Sequence, residues 1–155
     1  MVKKRNFLEH KRSSIFCVRR GVSAIVFIDL NGKREYLLLK RKLNWKGWEF
    51  LKGGKRENES EWDCLKREIK EEAGISKFKA KKTKYIHEFK YKKEYMKDSL
   101  PWIGAKNRIY LVRVFQKKIK IDKNEHSGLK WVDKKTALKL ITWNDYGRVF
   151  KKVAV

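Results

Sequence analysis

Cysteine is scarce in this chain: there are two, Cys17 and Cys64, among 155 residues. They stand far apart and outside any metal-ligand spacing, which argues against a disulfide scaffold or a thiolate zinc site and predicts buried thiols in a reducing cytoplasm. Long apolar runs are missing, so no segment predicts a membrane span, and the basic opening MVKKRNFLEHKRSSIF lacks the apolar stretch of a signal peptide. Proline occurs once, and repeats, low-complexity tracts and linkers are absent. These absences predict a cytoplasmic protein with one folded domain, residues 14–155, behind a basic arm at residues 1–13. Acid is the scarce charge, with 18 Asp and Glu against 42 Lys and Arg and a formal net charge of +24. Such a surface favours polyanions, whether nucleotides, RNA or acidic lipid head groups, although lysine enrichment also accompanies growth at high temperature or a biased genome.

Apolar residues make up 41% of the chain and aromatics 13%, enough to build a core. SIFCVRRGVSAIVFIDL predicts a strand pair or one long strand bent at Gly21, NGK at 31–33 a hairpin turn, and REYLLLKRK a strand buried on both faces. One more short strand is expected around Trp48 to Leu51, ending in glycines that permit a sharp turn. KYIHEFKYKKEY and NRIYLVRVFQ read as strands joined through the Pro101 loop, the second of them central. GLKWVD reads as a short strand, KKTALKLI as a helix, and NDYGRVFKKVAV as another capped near Asn144 or Asp145. Strands in runs with one strong helix between them and helices at the end predict an α/β fold, a mixed sheet covered on two sides as an α/β/α sandwich.

The scarce acid crowds into GGKRENESEWDCLKREIKEEAGI, residues 53–75. Trp62, Leu65, Ile69 and Ala73 recur at helical spacing, Asn58 or Ser60 can cap the start, and Gly74 ends the helix. Glu68, Glu71 and Glu72 then project from adjacent turns, on the side away from Leu65 and Ile69. Carboxylates so close repel unless a cation lies among them, and hard oxygen donors suit Mg2+ or Mn2+. Glu59 could buttress them, Arg67 could orient a neighbouring carboxylate, and Gly53 and Gly54 let backbone approach a metal or phosphate unobstructed.

Gly53, then Glu59, then Arg67-Glu68-Ile69, Glu71-Glu72, Ala73, Gly74 and Ile75 resemble, position by position, the box that defines the Nudix family. The resemblance implies an α/β/α sandwich that hydrolyses nucleoside diphosphates linked to another moiety, with divalent ions held by the box. It implies Glu68 and Glu72 as metal ligands, Glu71 as a further ligand or water-activating residue, and Gly53 as a ligand through its carbonyl. Arg67 would position a catalytic glutamate, with Glu59 behind it. WEFLKGG is similar to the family's Trp-x-Phe-Pro-Lys-Gly-Gly, with Leu51 in place of proline and Lys52 aimed at phosphate.

EHSGLKWV further resembles the Glu-His-x4-Trp pattern of dinucleoside tetraphosphate hydrolases, which makes Glu125 an expected ligand or base and His126 its neighbour of interest. The same likeness implies Lys106 and Tyr110 for phosphate and base, with Tyr91 and Tyr95 as weaker candidates, while Lys40, Arg41 and Lys42 end a strand near the box. His10 and His87 carry little signal. The implied activity is asymmetric cleavage of bis(5'-nucleosyl) tetraphosphate. The alternatives are an RNA 5'-end pyrophosphohydrolase or decapping-type enzyme, a general nucleoside triphosphate pyrophosphohydrolase, and a domain that only binds nucleotide or RNA.

Overall fold

The computed structural model describes residues 17–96 and 102–154. The expected arm at 1–13 with His10, the strand start at 14–16 and Pro101 lie outside the described residues, as does the side chain of Tyr95. Within them the chain forms strands β1 (Val18–Leu30), β2 (Lys33–Arg41), β3 (Gly47–Glu49) and β4 (Leu51–Gly54), then helix α1 (Glu61–Ala73). There follow β5 (Phe78–Lys90), a single turn α2 (Lys93–Met96), β6 (Gly104–Val114), β7 (His126–Val132), α3 (Lys134–Leu140) and α4 (Asn144–Val153). The strands make one sheet in the order β3-β2-β1-β6-β5, with β4 also on β1 and β7 also on β2. The pairing of β1 with β6 is parallel and the others are antiparallel, so the sheet is mixed and β6 is interior, as expected.

One long strand, rather than a strand pair, carries the apolar run at its start. β1 serves β4 through residues 21–24 and β2 through residues 27–30. Gly21 is needed for approach: a side chain there would overlap the Gly53 carbonyl and the Asn107 side chain. The hairpin after β1 turns on Asn31 and Gly32, with φ of 51° and 75°, the left-handed pair that matches strand twist in a two-residue loop.

Side-chain alternation along the strands builds two cores. Val22, Ala24, Val26 and Ile28 of β1, with Leu37 and Leu39 of β2, pack under Leu65, Ile69 and Ala73 of α1. Ile25 and Phe27, with Tyr36 and Leu38, pack under Ala137, Tyr146, Phe150 and Val153 of the C-terminal helices. A continuous apolar run is what a strand covered on both faces requires, and the result is the expected α/β/α sandwich. Each fully buried Leu, Ile or Phe contributes about 1.5–3 kcal/mol by leaving water.

Several local expectations change. WEFLKGG is two strands, divided at the fully buried Phe50: β3 pairs with β2 and β4 with β1. Leu51 is in the β4 ladder and buried, a place where its N–H is of use and a proline's missing donor would not be. Trp62 is 45% exposed, and Cys64 takes the inward position on α1. β5 begins earlier and stops at Lys90, so Tyr91 follows the strand. α4 starts with Trp143 at its cap position and no side-chain cap bond, because the Asp145 carboxylate is turned to His87 at 2.9 Å.

Candidate functional site

The acidic segment folds as a strand, a loop and a helix locked to one another. Ser60 accepts a hydrogen bond from the Asp63 N–H, and Gly74 closes α1 in the left-handed conformation at φ 66°, a stop that glycine adopts without steric cost. Asn58 shapes the loop instead of capping the helix, with φ 62°. Arg67 donates from Nε and Nη2 to the two oxygens of Glu59 at 2.7 and 2.8 Å, from Nη2 to the Gly54 carbonyl at 2.9 Å, and from Nη1 to Glu68 at 2.7 Å. The paired guanidinium holds the Glu59 carboxyl down at about 2. One planar side chain thereby fixes the loop, β4 and the Glu68 carboxylate together.

Glu68 and Glu72 are 7% and 5% exposed, the first against Gly53 of β4 and the second against His126 of β7, whereas Glu71 lies one step around the helix and is about half exposed. Two of the three carboxylates expected to converge do so. Glu71 stays outside the group, 3.3 Å from Arg67 and 3.6 Å from Arg56, and does not line the adjoining cavity. Burial pushes the Glu68 carboxyl up to about 7 against the pull of Arg67, and the Glu72 and Glu71 charges add to the rise. Gly53 is what admits Glu68, since a side chain there would occupy the space of its carboxyl group. Neither Gly53 nor Gly54 has the positive φ of a sharp turn; both are strand residues that permit close approach. The Gly53 carbonyl faces the Cys64 thiol at 3.9 Å, and burial pushes that thiol up to about 12.

β7 brings the second acidic group. Its first residue, His126, is 2% exposed, with Nε2 2.9 Å from Glu49 and Nδ1 3.2 Å from Glu72. Burial disfavours its charge, yet the flanking Glu49 and Glu72 lift the imidazole to about 9. Burial likewise raises the Glu49 carboxyl, but Lys52 at 3.4 Å together with His126 and Arg41 holds it below its ordinary value. Glu125 stands next to this group with its carboxylate 3.0 Å from Arg41; burial and then the Glu72 charge raise its carboxyl. Arg41 reaches this group by alternation along β2, on the same face as Leu37 and Leu39, and the register shift opposite it leaves Ser127 of β7 as the extra residue after His126.

These groups form one end of a cavity of about 710 Å³, lined there by Glu49, Glu68, Glu72 and Glu125. Lys52, Arg19 and Asn107 also line it, with the aromatic side chains of Trp45, Phe89, Tyr91 and Trp143, and the Lys52 ammonium lies 4.8 Å from the Phe89 ring centre. The Trp45 and Trp143 rings meet edge to face at 5.2 Å. Of the expected substrate residues, Arg41 and Lys52 line the cavity, and Lys40, Lys106 and Tyr110 do not. Lys40 is exposed with its ammonium 5.9 Å from the Trp48 ring, Lys106 pairs with Glu88 at 3.7 Å, and Tyr110 is 4% exposed in the core below α1. Lys42 is exposed. Glu49, Trp45, Trp143 and Arg19 escaped the motif reading; the pattern of WEFLKGG leaves position 49 open, and the others lie outside it.

The donor set fits a divalent cation. Donor atoms of Glu72, Glu125 and His126 lie within 4.8 Å of one another. Glu72 Oε2 is buried with no hydrogen bond, because the His126 contact is close but misaligned. An unsatisfied buried carboxylate oxygen is costly unless a cation takes it. Among the described residues no helix is long and apolar enough to cross a membrane.

Comparison with known proteins follows the same lines. The family described as NUDIX domain matches residues 19–153. The asymmetrical bis(5'-nucleosyl)-tetraphosphatase of Caenorhabditis elegans is 28% identical over 137 residues, 87% of this chain and 94% of that protein. An RNA pyrophosphohydrolase of Ruthia magnifica subsp. Calyptogena magnifica is 29% identical over 138 residues, 86% of this chain and 73% of that protein. Among solved structures, a binary complex of C. elegans Ap4A hydrolase shares the fold with a TM-score of 0.72 at 23% identity, covering 88% of this chain and 96% of that one.

Proposed function

This chain belongs to the Nudix family of phosphoanhydride-hydrolysing enzymes, and from that premise we propose that it cleaves bis(5'-nucleosyl) tetraphosphate asymmetrically, to a nucleoside triphosphate and a monophosphate, with Mg2+ or Mn2+. The observation that carries the choice is Glu125: the Glu-His-x4-Trp segment delivers it beside Glu72 and Arg41 at the acidic end of the cavity. The relative named as an asymmetrical tetraphosphatase supports the same substrate.

In this reading Glu68, Glu72 and Glu125, with the Gly53 carbonyl, hold the metal, and Glu71, which lies off the cavity wall against Arg67, would serve as a further ligand or water-activating group only by turning its exposed carboxylate inward. Arg67, itself held by Glu59, fixes the Glu68 carboxylate, while Lys52 and Arg41 take phosphate oxygens. Divalent ions bound there would neutralise nonbridging oxygens and acidify the attacking water. Lys40, Lys106 and Tyr110 have no part in it, since they stand off the cavity wall. A cytoplasmic location and one catalytic domain, residues 14–155, complete the proposal.

A second reading, an RNA 5'-end pyrophosphohydrolase, has the support of the relative of that name and of the net charge of +24. A panel of dinucleoside polyphosphates, single nucleoside triphosphates and 5'-triphosphate RNA separates the possibilities. We expect dinucleoside tetraphosphate to be turned over with the highest kcat/KM. Turnover of RNA or free triphosphate without turnover of dinucleotide refutes the first reading.

A further inference from the structure

One guanidinium in the cavity belongs to neither the box nor the acidic cluster. Arg19 is near the start of β1, opposite Ala105 of the parallel neighbour β6, and it lines the cavity while remaining exposed. Its planar group lies against Gly54, where any side chain would overlap Nε and Cζ. Adjacent strand residues face opposite sides of a sheet. Gly53 accordingly accommodates Glu68 on the α1 side, and Gly54 accommodates Arg19 on the other side. The two glycines thus seat a carboxylate and a guanidinium back to back across one strand.

Of the other cavity cations, Lys90 is an exposed lysine at the end of β5, and the remaining three are engaged. Arg41 is 3.0 Å from Glu125 and 3.5 Å from Glu49, Lys52 is 3.4 Å from Glu49, and the Lys92 ammonium lies 4.8 Å from the Trp143 ring centre. Among the described residues Arg19 is in no ion pair, and the one group its charge acts on is the Tyr91 hydroxyl across the cavity lining. A guanidinium whose stem is fixed in a sheet and whose fork faces an open cavity matches the geometry of a phosphate group. We propose that Arg19 is a substrate-binding residue that grips a phosphate of the nucleotide chain through two N–H groups, on the face of β4 opposite Glu68. This inference rests on the reading of the substrate as a nucleoside polyphosphate.

The test is binding of ATP to the full chain in excess chelator, where hydrolysis is suppressed, by calorimetry, beside metal-loaded kinetics on the substrate panel. Arg19→Gln should weaken ATP binding by about 10- to 100-fold and raise KM by a similar factor while kcat changes less than about threefold. Arg19→Lys, which keeps the charge and loses the fork, should fall between, and Arg20→Gln should behave as wild type. Unchanged ATP affinity and KM in Arg19→Gln would overturn the inference. So would equal losses of kcat in the Gln and Lys variants accompanied by a lower Tm, since that is the signature of a structural residue. A wild type inactive on the whole panel brings down the functional reading; an active wild type with an indifferent Arg19 variant brings down this inference alone.

Discussion

Replacing Gly53 with alanine is the sharpest perturbation the site offers. The new Cβ would sit 1.8 Å from Glu68 Cδ, whereas ordinary contact begins at 3.4 Å, so the carboxyl must retreat by the difference, 1.6 Å. That retreat breaks the 2.7 Å hydrogen bond from Arg67. Misplacing a reacting group by about 1 Å can cost on the order of 100-fold in rate, and losing the partner that orients a ligand costs about 10- to 100-fold in metal affinity. We therefore expect kcat/KM to fall at least 100-fold and Mn2+ affinity at least 10-fold. The backbone at Gly53 is not in the left-handed region, so alanine adds no dihedral strain, and the loss of stability should stay near the lower end of the 1–3 kcal/mol typical of overpacking. Kinetics with Mg2+, Mn2+ titration by calorimetry and thermal unfolding measure the three quantities. Gly147→Ala on α4, where nothing lies within 4 Å, is the control and should be neutral or slightly stabilising. A Gly53→Ala protein with wild-type metal affinity and turnover would refute the claim that this glycine exists to admit Glu68.

Three further outcomes follow from the same contacts. Mg2+ at 100 times its Kd should add about 2.7 kcal/mol of stability, a rise of about 5–10 °C in Tm for a chain of this size; Glu72→Gln, which removes the orphaned Oε2 carboxylate, should abolish it, and an undiminished shift counts against the assignment. Glu59→Gln removes the bidentate hold on Arg67 and should lower kcat/KM by about 10- to 100-fold with the fold intact by circular dichroism; unchanged kinetics would show that Arg67 needs no such support. Burial holds the His87 imidazole below its ordinary value of 6.5 in spite of Asp145. As pH falls through that range the unfolded chain takes up a proton that the folded one refuses, so stability present above it is progressively lost. His87→Phe preserves the stack on Tyr146 and Phe89 and should flatten the fall in Tm between pH 7.5 and 5.5; a profile parallel to wild type would show that His87 is not its source.

What could be read from the chain and what could not divides along a physical line. α1 was legible to its caps because its spacing, Ser60 and Gly74 are local signals. The α/β/α arrangement was legible because apolar runs such as Tyr36–Leu37–Leu38–Leu39 need cover on both faces. The glycines were misread as a turn: alternation and burial are sequence properties, but the arrival of Glu68 and Arg19 at Gly53 and Gly54 is a tertiary event. Lys40 and Arg41 are neighbours in a basic run, and alternation along β2 separates them: Arg41 shares the face of Leu37 and Leu39 and meets Glu49 and Glu125, while Lys40 takes the opposite face. Tyr110 fails as a base platform for a similar reason, since its parity on β6 turns it toward α1. Glu49 and His126 are 77 residues apart, and no spacing rule joins them.

The charge distribution of the molecule also has a physical logic. Five carboxylates, Asp145 beside His87 and the four glutamates of the acidic end, line the cavity of a chain with net charge +24. The basic exterior draws polyanions at long range but falls off within about a Debye length and does nothing to relieve buried like charges. Inside, Arg41, Lys52, Arg67 and His126 offset the carboxylates in part, yet Glu68 and Glu125 still titrate above their ordinary values and Glu72 Oε2 still lacks a hydrogen bond. More lysines would close that deficit only by occupying the place of the substrate. A small divalent ion closes it while leaving open positions for phosphate oxygens. Carboxylates and phosphates would otherwise repel, and β4 resolves the conflict with two glycines, keeping Glu68 on one face and leaving Arg19 free on the other to meet the same phosphate chain.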